Sequence, residues 1–112
     1  MNHIHSTSLP EPIARYLDSA NRFDAAGASG SFTPDAVVRD EQHEYVGHAA
    51  IERWIAQTSQ SYQAQVTVTN VMALGANVKI AASIAGNFSG SPVNLDYDFC
   101  LQDGKIARLT IQ

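Results

Sequence analysis

A chain of 112 residues that is 45% hydrophobic and only 16% charged is too apolar for disorder and long enough to bury one core without disulfides or a structural metal. Its net charge is −4, and the seven basic residues, Arg15, Arg22, Arg39, Arg53, Lys79, Lys105 and Arg108, are scattered rather than gathered into a stripe. Binding to a phosphate backbone has no electrostatic basis, so no nucleic-acid partner is expected.

Residues 1–7 show no periodicity and read as a frayed tail, leaving 8–112 as a single domain. Ser8 and Glu11 have capping-box spacing. Leu9, Ile13, Tyr16, Leu17 and Ala20 then follow helical spacing. Two glycines and two serines between Asp24 and Phe32 predict only a short, weak helix, held by Phe23 and Phe32. Thr33-Pro34-Asp35 predicts a turn before a strand that ends at Asp40, with His43 in the loop that follows.

Gly47 precedes a second long helix with Ile51, Trp54, Ile55, Thr58 and Tyr62 on one face. Strands follow in three alternating runs: Val66, Val68 and Met72; Val78 to Phe88; and Leu95, Tyr97, Phe99 and Leu101. Asp103-Gly104 is a hairpin signal into a last strand, Ile106 to Ile111. Helices first and hairpin-linked strands after them predict an α+β fold, the helices covering one face of a mainly antiparallel sheet.

Lone Cys100 can form no intrachain disulfide and reads as inert packing. The chain shows no signal peptide and no run of about eighteen apolar residues, so a cytoplasmic protein with no membrane partner is expected.

One polar residue stands out. Alternation in Ala36-Val37-Val38-Arg39-Asp40 puts Asp40 on the apolar side with Ala36 and Val38. A carboxylate there is either a rim group, solvated or paired with Arg39 or Arg53, or a cavity group whose raised pKa suits it to accept a proton. Tyr16, on the apolar face of the first helix, can share that cavity or be ordinary core. Small residues at Ala81, Ala82, Ala85 and Gly86, and from Gly27 to Ser31, are expected to leave the cavity open.

The order of elements and several strings resemble the SnoaL-like and ketosteroid isomerase-like members of the nuclear transport factor 2-like superfamily. The strings are Arg15-Tyr16, Phe32-Thr33-Pro34-Asp35-Ala36, Gly47-His48-Ala49-Ala50-Ile51 and Asp103-Gly104-Lys105-Ile106, and the likeness spans roughly residues 9–111. The resemblance implies a cone-shaped, curved, mixed but mainly antiparallel sheet wrapped around N-terminal helices, a cystatin-like α+β barrel. It also implies a pocket open at one end and a homodimer formed through the sheet.

In ketosteroid isomerases the matching tyrosine and aspartate are catalytic, which marks Tyr16 and Asp40 here. Tyr97 falls where those enzymes carry a second, protonated aspartate, and a phenol can donate a hydrogen bond in its place. The implied function is binding of a small, hydrophobic, oxygenated ligand, with proton transfer in an isomerisation or cyclisation through Asp40 and Tyr16. The alternative is a non-catalytic ligand-binding or dimeric interaction module of the same fold. No cofactor is implied.

Phe32, Trp54, Phe88 and Phe99 read as core that doubles as pocket lining, and His43 as a surface histidine or an acid/base partner for Asp40. A one-residue slip would expel Tyr97 and bring in Asp96 and Asp98, but Leu95, Phe99 and Leu101 oppose it. His3-x-His5 is too small a ligand set to predict a metal site.

Overall fold

The computed structural model describes residues 9–112. The expected tail, Ser8 and the pair His3 and His5 lie outside the described residues, and the first helix takes Pro10 as its N-cap, with no side-chain cap, in place of the expected capping box from Ser8. The elements run α1 (Glu11–Asn21), α2 (Ala25–Ser29), β1 (Phe32–Asp40), β2 (His43–Val46), α3 (His48–Tyr62), β3 (Gln65–Leu74), β4 (Asn77–Ala85), β5 (Val93–Gln102) and β6 (Lys105–Ile111). The strands form one six-stranded sheet in the order β2-β1-β6-β5-β4-β3. Only the β1–β6 pair is parallel; every other neighbour is antiparallel.

The helices bury their apolar stripes against one face of this sheet. Ile13, Tyr16 and Leu17 of α1 and Ile51, Trp54 and Ile55 of α3 meet Val38, Leu109, Phe99 and Val78 from four strands. The closed end is solid: Phe32, Ile51, Ile106 and Leu109 are all fully buried. Trp54 and Tyr45 stack across α3 and β2, centroids 5.7 Å apart. His48 Nε2 donates to the Phe32 carbonyl at 2.7 Å, tying the start of α3 to the start of β1. No helix among the described residues is long and apolar enough to cross a membrane.

Five local expectations are corrected. Thr33-Pro34-Asp35 belongs to β1 rather than a turn, and the bend shows instead as a register shift between Phe32 and Val37. Phe23 does not hold α2: its φ of 60° turns it outward and it is 47% exposed. His43 opens strand β2 rather than lying in a loop, because Glu41 and Gln42 form a two-residue hairpin with φ of 52° and 67°.

Met72 points out and is 57% exposed, because an irregularity between Val68 and Asn70 flips the parity of β3 and gives the inward place to Val71. Phe88 lies beyond the end of β4, in the loop to β5.

Asn21, the last residue of α1, grips the edge strand with both ends of its amide. Its Nδ2 donates to the Val66 carbonyl at 3.0 Å and its Oδ1 accepts from the Val66 amide at 2.8 Å. Gln65 Nε2 donates back to the Asn21 carbonyl at 2.8 Å. Edge groups otherwise open to another strand are thereby occupied.

Candidate functional site

Sheet register brings the candidate residues together. Asp40 pairs with Ile111 of β6, and Ile111 pairs with Tyr97 of β5. Paired residues point to the same face, so Asp40, Ile111 and Tyr97 form one row across the inner face. With strands about 4.8 Å apart, the two outer members stand about 10 Å apart at Cα. Tyr16 comes down onto this row from α1, held edge-on against Phe32 at 5.3 Å and Phe99 at 6.2 Å. Tyr97 stacks on Phe99 at 6.1 Å.

Above the row is a cavity of about 460 Å³, lined by Tyr16, Asp40 and Tyr97 together with Trp54 and Phe88. Its remaining wall is mostly apolar, with Ile55, Val66, Ile84 and Leu95 among the residues between the helices and the sheet. Ser59, Tyr62, Phe88 and Ser89 also line it, bringing the end of α3 and the β4–β5 loop into one wall. Tyr62 and Phe88 meet edge-on at 5.8 Å.

The space does not arise where small residues were expected to leave it. Ala81, Ala82, Ala85, Gly86 and the segment 27–31 are all absent from the wall. Segment 27–31 packs at the closed end, where Ala28, Ser29 and Ser31 are buried. Ala20 and Ala64 provide the short side chains of the wall instead.

Three residues expected to touch a ligand do not line the cavity. Phe32 and Phe99 lie behind the tyrosines and support their rings. His43 is exposed opposite Asp40 in the β1–β2 hairpin, and its Nδ1 donates to the Glu41 carbonyl at 3.0 Å.

Trp54 does more than line the wall: its Nε1–H donates to Asp40 Oδ2 at 3.1 Å. That bond joins α3 to the end of β1. A buried indole N–H needs an acceptor. Asp40 was marked by its place on the apolar face of the first strand, but nothing in the sequence marked Trp54 as its partner.

The electrostatics follow from burial. Partial burial pushes the Asp40 carboxyl above its ordinary range, the Trp54 hydrogen bond offsets part of that rise, Glu41 adds to it and His43 opposes it. Burial also pushes both phenols up, Tyr16 further raised by Tyr97 and Asp40, and Tyr97 by Asp40. Both therefore stay protonated at neutral pH. Among the described residues neither phenol has a hydrogen-bond partner, and both open on the cavity. Among the same residues no cluster of three or more His, Cys, Asp or Glu could hold a metal ion.

The SnoaL-like domain family matches residues 13–109. The chain belongs to the SnoaL-like domain family. A candidate polyketide cyclase from Sinorhizobium meliloti has 36% sequence identity and a TM-score of 0.92 over 96% of this chain and 98% of its own.

More distant solved structures share the fold. A protein with a ketosteroid isomerase-like fold from Catenulispora acidiphila, solved with trimethylamine, has 19% identity and a TM-score of 0.84, over 94% of this chain and 86% of its own. A candidate polyketide cyclase from Xanthomonas campestris has 20% identity and a TM-score of 0.79, over 99% of this chain and 91% of its own. None of the curated proteins matches the chain.

Proposed function

We propose that this SnoaL-like domain binds a small, hydrophobic, oxygenated molecule and moves a proton on it, in an isomerisation or a cyclisation. The observation that carries the reading is the convergence of one tethered carboxylate and two phenols, without hydrogen-bond partners among the described residues, on a mostly apolar cavity. Its size lies in the usual range for small-molecule sites. The 36%-identical relative named a candidate polyketide cyclase supports the same class of chemistry.

In this reading Asp40 is the base. Its raised pKa makes the carboxylate a stronger acceptor, while Trp54 Nε1–H holds one of its oxygens. Asp40 takes a proton from the carbon next to a ligand carbonyl; the electron pair of that C–H bond becomes the carbon–carbon double bond of the enolate while the carbonyl π pair moves onto the oxygen. Tyr16 or Tyr97 donates a hydrogen bond to the enolate oxygen so formed. Returning the proton to a different carbon completes an isomerisation. Attack of the enolate carbon on a second carbonyl of the same molecule, with the proton passed to the new alkoxide, completes a cyclisation.

The test uses 2-acetylnaphthalene, a neutral aromatic ketone small enough for the cavity, in deuterated water. The protein should accelerate deuterium exchange of the methyl protons, read by NMR. Asp40→Asn should lower that rate by about 100-fold or more while leaving ketone binding intact, since it removes the base and keeps the shape. Tyr16→Phe should cost about tenfold, because Tyr97 still donates. Binding without wild-type exchange would leave a non-catalytic binding module.

A further inference from the structure

We propose that the cavity selects its ligand by charge: it takes molecules whose buried part is a neutral carbonyl compound and rejects carboxylates of the same shape. The inference deepens the ligand-binding reading and rests on it, but not on turnover.

Three observations point the same way. The ionisable side chains that line the cavity, apart from the phenols, are Asp40 and Glu41, both acidic; no Lys, Arg or His is among the lining residues. Both long helices end at the cavity, since Asn21 is the last residue of α1 and Tyr62 the last of α3, and both line it. A helix C-terminus carries the negative end of its dipole, equivalent to roughly half an elementary charge and felt within its last turn.

The basic side chains of the β1–β2 hairpin beside Asp40 are also engaged elsewhere. Arg39 alternates to the outer face and pairs with Glu44 at 3.1 Å, and His43 turns its Nδ1 to the Glu41 carbonyl.

The polar groups of the wall further narrow the ligand. Asn21 spends its amide on Val66, and the Thr58 hydroxyl donates back to the carbonyls of α3. The groups left for a ligand are the buried Tyr16 and Tyr97 phenols and the half-buried Asp40 carboxylate, and Ser59, Tyr62 and Ser89 add only neutral hydroxyls to the wall. Phenol donors suit a carbonyl oxygen, but a ligand carboxylate beside Asp40 puts two like charges in an apolar enclosure, which costs far more there than in water. An anion would find no counter-ion in the wall.

Equilibrium dialysis at pH 8 separates the cases with two probes of nearly equal size, 2-acetylnaphthalene and 2-naphthoate, which differ by a methyl group in place of a carboxylate oxygen. The ketone should bind at least about tenfold more tightly than the acid, and Glu41→Gln should narrow the gap. Salt gives an independent reading on the wild-type chain that needs no variant to fold. Added salt should tighten naphthoate binding by screening and leave the ketone unchanged.

Equal or tighter binding of naphthoate, or naphthoate affinity that falls with salt, would overturn charge selection while leaving the base role of Asp40 standing. Discrimination without deuterium exchange would do the reverse. Failure of the ketone to bind at all would overturn both.

Discussion

Asp40 is the residue where function opposes stability. Its carboxyl holds a proton to higher pH in the folded chain than in the unfolded one. Between those two values the folded state binds more protons, so stability falls as pH rises through the window and stays reduced above it. Asp40→Asn removes this penalty. The variant should melt higher than the wild type at pH 7, with the gain shrinking toward zero as pH drops below the ordinary carboxylate value.

Trp54 is the only tryptophan in the chain and touches Asp40, so its fluorescence should titrate with that carboxyl, with a midpoint above the ordinary carboxylate value. A midpoint at the usual value, or no stability gain at pH 7, would contradict the assigned environment. Strand alternation was enough to place Asp40 and Tyr97 on the inner face, and helical spacing enough for Tyr16. The Trp54–Asp40 bond was not legible. It joins a helix to a strand fourteen residues away, a contact that no local period encodes.

At the scale of elements, long periodic segments were readable and junctions were not. The helices α1 and α3 and the strands β4 to β6 follow from their spacing. The β1–β2 hairpin was missed because Asp40-Glu41-Gln42-His43 lacks the Asn-Gly or Asp-Gly pair such turns favour, yet Glu41 and Gln42 both take the left-handed conformation. Strain of this kind beside a candidate base is consistent with a functional site. Glu41→Asn with Gln42→Gly should relieve it and raise stability by about 0.5–1 kcal/mol, measured by denaturant midpoint.

The flip within β3 was equally silent, since Val-Thr-Val-Thr-Asn-Val-Met reads as plain alternation until a bulge interrupts it. Asn21 gave no warning either: an amide at a helix end looks like a surface group, whereas it bonds both backbone atoms of Val66. Asn21→Ala should strip two hydrogen bonds from the edge strand and cost about 1–3 kcal/mol. It should also weaken ligand binding, because Asn21 and Val66 are both part of the cavity wall.

The whole molecule divides into a solid end and a hollow end, and that division governs how it tolerates change. Around Leu109 every direction is filled: Phe32, Ile51, Ile106 and Val38 are fully buried with it. Leu109→Ala would open a void that close-packed neighbours cannot collapse, costing about 2–5 kcal/mol. Ile84 is also buried, but it faces the cavity and already lacks packing on one side. Ile84→Ala extends a space that water or ligand fills, so only the loss of buried apolar area counts, about 1–2 kcal/mol. The two truncations should therefore separate in thermal unfolding, with Leu109→Ala melting well below Ile84→Ala. Ligand affinity should fall for Ile84→Ala and hold for Leu109→Ala while that variant stays folded. Equal loss of stability at both positions would mean that the cavity is closed and packed in solution, and the hollow end would no longer be available as a site.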